Sequence, residues 1–206
     1  KERRSYEFRV GMTPAYVQML VQQGHTCYVE HEAGLGAGFS DQEYEQAGAR
    51  VVYSPHEVFG RADLLLKVSR PVYEELEWLR PHTIVAGLLH LTSSRADKID
   101  LMQEKEITAV SYELIELADG SVPVRSPLSQ IGGTLAAQIS GRLLQNNAGG
   151  KGILLGGIAG FAPAEVVLIG AGLFGTAAVR AFVGMRAHVT VLDTNLDTLR
   201  RVYDRC

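Results

Sequence analysis

Gly170, Gly172 and Gly175 are spaced as G-x-G-x-x-G directly after the apolar run Val166-Val167-Leu168-Ile169. A strand, this spacing and then a helix build a cradle for phosphates. Gly170 permits the tight turn, Gly172 lets backbone amides approach a pyrophosphate, and Gly175 lets the helix pack closely on the strand. The amides around Leu173 and the helix dipole then favour the anion. A second apolar run, His188–Leu192, ends in Asp193, 23 residues beyond Gly170. A carboxylate there accepts hydrogen bonds from both hydroxyls of an adenosine ribose and repels a 2′-phosphate, so the motif predicts NAD rather than NADP. The bland alternative is a turn that needs glycine for packing alone, with Asp193 as a helix cap.

Three further polar residues end apolar runs or border them. Lys67 follows Leu64-Leu65-Leu66, and His90 closes the run from Ile84 to Leu89. Both therefore fall at carboxyl ends of predicted strands, the edge where open α/β sheets bind ligands. Arg9 lies at the same rim, just before a helix capped at Thr13. A guanidinium and an ammonium converging on one spot suit a small carboxylate, and an imidazole beside them serves as general acid or base near neutral pH. Taken singly, each of the three is an ordinary surface charge or a structural histidine. The remaining histidines share no spacing that reads as a metal site, and none is expected. Ser129, by itself, is notable only for its place early in a long helix.

The elements that must position these residues follow a repeated local grammar. Thr13-Pro14 starts a helix that stops at Gly24; Ser40 with Glu43 forms a capping box ahead of Gly48; Ser54-Pro55 with Glu57 starts a third that stops near Gly60. Short β-branched runs at residues 26–29, 49–52, 64–68, 83–89 and 107–112 lie between the capped helices and read as buried parallel strands. Alternation of this kind predicts a doubly wound α/β layer structure. Ser126-Pro127 opens a longer helix with Leu128, Ile131, Leu135, Ile139 and Leu143 on one face. A glycine-rich stretch follows. The expected organisation is a substrate domain over residues 1–125, a connecting helix over 126–148, and the first part of a nucleotide-binding domain over 149–206.

Composition bounds the function. The chain has 206 residues, 20 basic and 23 acidic side chains, and 46% apolar residues. A near-neutral charge without a basic block argues against nucleic acid as a partner. The longest stretch free of Asp, Glu, Lys and Arg contains too many polar and small residues to span a membrane. Cys27 and Cys206 offer no disulfide framework, which suits a reduced, cytoplasmic location. The sequence starts without methionine and stops inside a predicted helix, so a fragment is expected.

Ordered matches along the chain make it resemble the alanine dehydrogenase and pyridine nucleotide transhydrogenase family. They include Glu7-Phe8-Arg9-Val10-Gly11-Met12-Thr13-Pro14, Glu32-Ala33-Gly34-Leu35-Gly36, Leu66-Lys67-Val68, Leu89-His90-Leu91, Tyr112-Glu113-Leu114-Ile115, Pro127-Leu128-Ser129 and residues 166–196. The resemblance implies two doubly wound Rossmann-like domains joined by a long helix, the second incomplete. It implies NAD-dependent, reversible oxidative deamination of L-alanine to pyruvate and ammonia by a homo-oligomer. It assigns the substrate carboxylate to Arg9, substrate binding and a catalytic role to Lys67, and proton transfer to His90. It assigns cofactor contacts to Ser129, Gly170, Gly172, Leu173, Gly175 and Asp193. A catalytic aspartate would lie beyond residue 206. Leu88, Leu128 and Gln130 depart from the family pattern beside the pocket, which leaves a related amino or keto acid open as substrate. A transhydrogenase subunit and a catalytically silent NAD-binding module are the rival expectations.

Overall fold

Proline at the first helical position starts both Pro14–Gln22 and Pro55–Arg61, since its ring presets φ and it lacks an amide hydrogen that a helix start would leave unpaired. Thr13 and Ser54 take the extended N-cap backbone, yet neither side chain accepts a cap bond, so proline rather than the hydroxyl sets these starts. Ser40 behaves differently. Its hydroxyl accepts from the Glu43 amide while the Glu43 carboxylate accepts from the Ser40 amide, a complete capping box. Gly24 and Gly48 follow their helices at φ +89° and +91°, the left-handed stop that glycine reaches without strain.

The structure, a computed structural model, describes residues 1–205 and divides into two units, Lys1–Ile115 and a second starting at Glu116. In the first, the order is α1 (Pro14–Gln22), β1 (Tyr28–Glu30), α2 (Asp41–Gln46), β2 (Arg50–Val52), α3 (Pro55–Arg61), β3 (Leu64–Ser69), α4 (Tyr73–Trp78), β4 (Ile84–Leu88), α5 (Ala96–Glu104) and β5 (Thr108–Ser111). All pairings are parallel. β1 pairs with β2 from Tyr28↔Arg50 to Glu30↔Val52, and β4 lies between β3 and β5 with Leu64↔Ile84 and Ile84↔Thr108 opposed. No ladder joins β1 to β3. A cavity of about 560 Å³ lies there instead, with Val10, Cys27, Tyr28, Phe59, Leu64 and Lys67 among its walls.

Apolar burial holds the unit on both sides of this gap. Phe59, Leu65, Leu76, Leu79, Val85, Leu89 and Met102 form one core, and Val17, Tyr44, Ala47 and Ala49 another. Removing a Leu76-sized side chain from such a core costs about 2–5 kcal/mol. Glycine is required at residue 87, where a Cβ would lie 2.9 Å from the carbonyl oxygen of Lys67 across the strand.

The second unit contains α6 (Arg125–Leu143), β6 (Glu165–Ile169), α7 (Leu173–Gly184), β7 (His188–Leu192) and α8 (Leu196–Tyr203). β6 and β7 pair in parallel, with Glu165↔His188 through Ile169↔Leu192, across the crossover helix α7. Helix α6 packs on α7 through small residues. A Cβ at Gly133 would come within 2.3 Å of the Phe174 carbonyl oxygen, and Ala137 and Ala178 are buried together. Ile131, Leu135, Ile139 and Leu143 share one helix face as their spacing predicts, but that face is exposed. Leucine-sized side chains would hold the two helix backbones too far apart, so glycine and alanine form the inner face.

Candidate active site

The apolar strand β6 delivers the chain to Gly170 at φ +99°, a left-handed conformation that favours glycine. Gly172 caps α7 and faces open space, so its backbone is accessible to a ligand. Gly175 has no room at all: a Cβ there would lie 2.0 Å from the Gly170 carbonyl oxygen. These are the properties a pyrophosphate cradle needs: a turn, an open approach and close helix–strand packing, with free amides at the start of α7 from Leu173 onward. No side chain caps that helix start.

Strand β7 carries Asp193 to the same sheet edge. Its Oδ2 accepts from the Ala171 amide at 2.6 Å and Oδ1 from the Asn195 amide at 2.8 Å. These two backbone donors, Ala171 first, hold the carboxyl below the usual aspartate range. The capping of α8 belongs to Asn195, whose side chain accepts from the Asp197 and Thr198 amides. Asp193 instead buttresses the glycine turn and remains partly exposed. Ser129 lies half-buried on α6 in the same unit.

In the first unit, Arg9 and Lys67 line the cavity between β1 and β3. Each is engaged by carboxylates. Arg9 donates through Nε and one terminal nitrogen to both oxygens of Glu7, at 2.8 and 2.7 Å. This fork, helped by the Arg9 amide and the Ser69 hydroxyl against partial burial, holds the Glu7 carboxyl at about 2. The second terminal nitrogen of Arg9 is left for another acceptor, and the side chain is half-exposed. Lys67 is deep. Its Nζ lies 2.7 Å from Glu75 Oε1 and 3.5 Å from Glu2 Oε2, 5.9 Å from the Phe59 ring centre, and the side chain is 6% exposed. Glu75 is fully buried, and its other oxygen accepts from the Val72 amide to start α4.

His90 lies past the carboxyl end of β4, apart from that cavity, with its side chain 55% exposed. Its backbone is left-handed, φ 46° and ψ 50°, which is uncommon for a residue with a Cβ. The His90 amide donates to Glu113 Oε1 at 2.7 Å, and its carbonyl accepts from the Ser93 amide and hydroxyl. Glu75 and Glu113 carry no sequence spacing that marks them. Glu113 lies within one of the family-like stretches, but its pairing with His90 exists only once β4 and β5 are in register.

Among the described residues no group of three or more His, Cys, Asp and Glu side chains could hold a metal ion, and no helix is long and apolar enough to cross a membrane. The fold and the glycine turn define the class: a two-unit α/β protein whose second unit carries a dinucleotide-type βαβ element. The chain belongs to the alanine dehydrogenase/PNT family, whose N-terminal domain matches residues 1–132 and whose C-terminal domain matches residues 136–206. It is 41% identical over 204 residues to an alanine dehydrogenase of Methanococcus maripaludis, covering 99% of this chain and 54% of that protein. A solved L-alanine dehydrogenase superposes with a TM-score of 0.87 at 39% identity, over 99% of this chain and 56% of the other. A transhydrogenase from Sinorhizobium meliloti superposes with 0.77 at 28% identity, over 99% and 60%. The chain thus spans about half the length of the relatives it matches.

Proposed function

We propose that this chain is part of an NAD-dependent L-alanine dehydrogenase, converting L-alanine, NAD and water to pyruvate, ammonium, NADH and a proton. The observation that carries the reading is the presence, in one chain, of the open glycine cradle with Asp193 and of a half-exposed His90 at the carboxyl edge of a parallel sheet. The relatives' names supply the substrate. NAD accepts the hydride when bound, and the cradle residues fit it. Gly170, Gly172 and Gly175 with the Leu173 amide hold the pyrophosphate, Asp193 the ribose hydroxyls, and Ser129 a further part of the cofactor.

Arg9 binds the substrate carboxylate through the guanidinium nitrogen that Glu7 leaves free. Lys67 adds a point charge beneath it and polarises the developing carbonyl; Glu75 takes one of its three N–H donors and orients the others. His90 moves the proton to and from water as the imine is hydrolysed. The working protein is proposed to be a cytoplasmic homo-oligomer acting on small molecules.

The test is NADH formation from L-alanine by the full-length protein, beside a His90→Ala variant. Alanine-dependent reduction of NAD that is lost in the variant supports the reading. Tight NAD binding without turnover on alanine rejects alanine as substrate, and hydride exchange between two nicotinamide nucleotides would favour the transhydrogenase instead.

A further inference from the structure

We propose that Glu113 is the positioning residue for His90, holding the histidine backbone in its left-handed conformation and aiming the imidazole from the carboxyl edge of the sheet. The proposal rests on the reading of His90 as the proton-transfer residue, but its geometry stands independently. A residue with a Cβ at φ 46° is strained, and such strain persists only where the surroundings over-determine it. Here both backbone groups of His90 are held. The carbonyl is fixed by the Ser93 amide and hydroxyl, and Ser93 in turn accepts from Arg70. The amide is fixed by a charged acceptor, Glu113 Oε1 at 2.7 Å. Bonds of an amide to a carboxylate are about twice as strong as neutral ones, so this one is the larger restraint.

The Glu113 carboxylate reaches His90 from the neighbouring strand. It follows the last residue of β5, Ser111, which opposes Gly87 of β4, three residues before His90. The side chain is 12% exposed, and the same Oε1 lies 3.8 Å from His90 Nδ1. Glu113 therefore faces the Nδ1 edge of the ring. A small rotation lets Nδ1–H donate to it, which fixes the tautomer and leaves Nε2 as the nitrogen that exchanges protons. Glu113 Oε2 is buried without a hydrogen-bond partner among the described residues. The oxygen that the ring edge approaches is Oε1, the one that already accepts from the His90 amide, so backbone and imidazole of His90 face the same carboxylate oxygen.

The first experiment needs no substitution. In the isotope-labelled chain, scalar coupling across the hydrogen bond between the His90 amide nitrogen and the Glu113 carboxyl carbon, with a downfield His90 amide proton, is expected. Absence of both overturns the proposal. The second compares wild type with Glu113→Gln, an isosteric change that removes the charge. The His90 amide proton is expected to move upfield and the ring nitrogen shifts to change toward mixed tautomers. In the full-length enzyme kcat falls about tenfold or more while KM for alanine stays within about twofold. Unchanged His90 shifts in a folded variant overturn the positioning role. If His90→Ala keeps full activity while the shifts respond to Glu113, the assignment of His90 to proton transfer fails and the Glu113–His90 restraint stands.

Discussion

The ammonium of Lys67 and the carboxylate of Glu75 meet at 2.7 Å in a pair that is almost entirely withdrawn from solvent. Glu75 does a second task, accepting the Val72 amide at the start of α4, so one side chain ties β3 to the next helix. Replacing Glu75 by leucine leaves a buried lysine without its main partner and is expected to destabilise the first unit by about 3–5 kcal/mol. The double change Lys67→Met with Glu75→Leu is expected to recover most of that loss, because an apolar pair of similar volume carries no desolvation cost. Chemical denaturation of the two variants beside the wild type measures both. A double variant no more stable than Glu75→Leu would show that the helix-start bond, rather than the ion pair, dominates.

Gly172 and Gly175 separate binding from folding. Gly172→Ala places a methyl in open space at φ −63°, so the melting temperature is expected to hold while NAD affinity falls about tenfold, or about 1.4 kcal/mol. Gly175→Ala drives a methyl into the Gly170 carbonyl and is expected to lower stability before binding enters. Calorimetric titration with NAD beside a thermal melt distinguishes them. Unchanged affinity in Gly172→Ala would remove the pyrophosphate from this turn.

Acid should act through Glu7. Its carboxyl is held at about 2 in the folded chain against an ordinary value of 4.5, chiefly by the Arg9 side chain. A depressed carboxyl contributes stability that is complete above its unfolded value and is lost as pH falls through the folded one. The urea midpoint is therefore expected to drop between pH 4.5 and 2, and to drop less in Glu7→Gln. Parallel curves for the two proteins across that window would assign the acid limb to other carboxylates.

Helix α6 offers a contrast between its two faces. Gly133→Leu inserts a side chain where the Phe174 carbonyl already stands 2.3 Å from a Cβ position, and about 1–3 kcal/mol of stability or more should be lost. Leu135→Ser on the exposed stripe should stay within about 0.5 kcal/mol in this chain. Denaturation midpoints that reverse this order would place the packed face on the leucine side.

The residues with local signatures were legible from sequence. Proline starts, the Ser40–Glu43 box and the glycine stops at Gly24 and Gly48 depend on groups a few residues apart, and so does the strand–turn–helix geometry around Gly170; Gly60, by contrast, lies inside α3, which runs on to Arg61. The strands were legible from their apolar runs and all pair in parallel, but burial on both faces holds only in β4, at Val85, Ala86 and Gly87; from Leu65 on β3 alternates buried and half-buried positions, and β5, β6 and β7 alternate half-buried and exposed ones. The face of α6 was a harder matter. Apolar periodicity identifies a stripe but not its neighbour, and here the close approach of α7 selected Gly133 and Ala137 for the inside.

What the sequence determined by itself was the set of elements and their order, with His90 just past the end of β4 and Asp193 just past the end of β7, each in its own unit; Lys67 lies inside β3 rather than at its end, because that strand runs on to Ser69, and Arg9 lies outside any strand. Tertiary structure decided the partners of those side chains: Glu7 for Arg9, Glu75 and Glu2 for Lys67, Glu113 for His90 and the Ala171 amide for Asp193. The last two span 23 and 22 positions in the chain. Contacts at such separations depend on the register of neighbouring strands, and a single-residue slip would turn each side chain to the opposite face of the sheet.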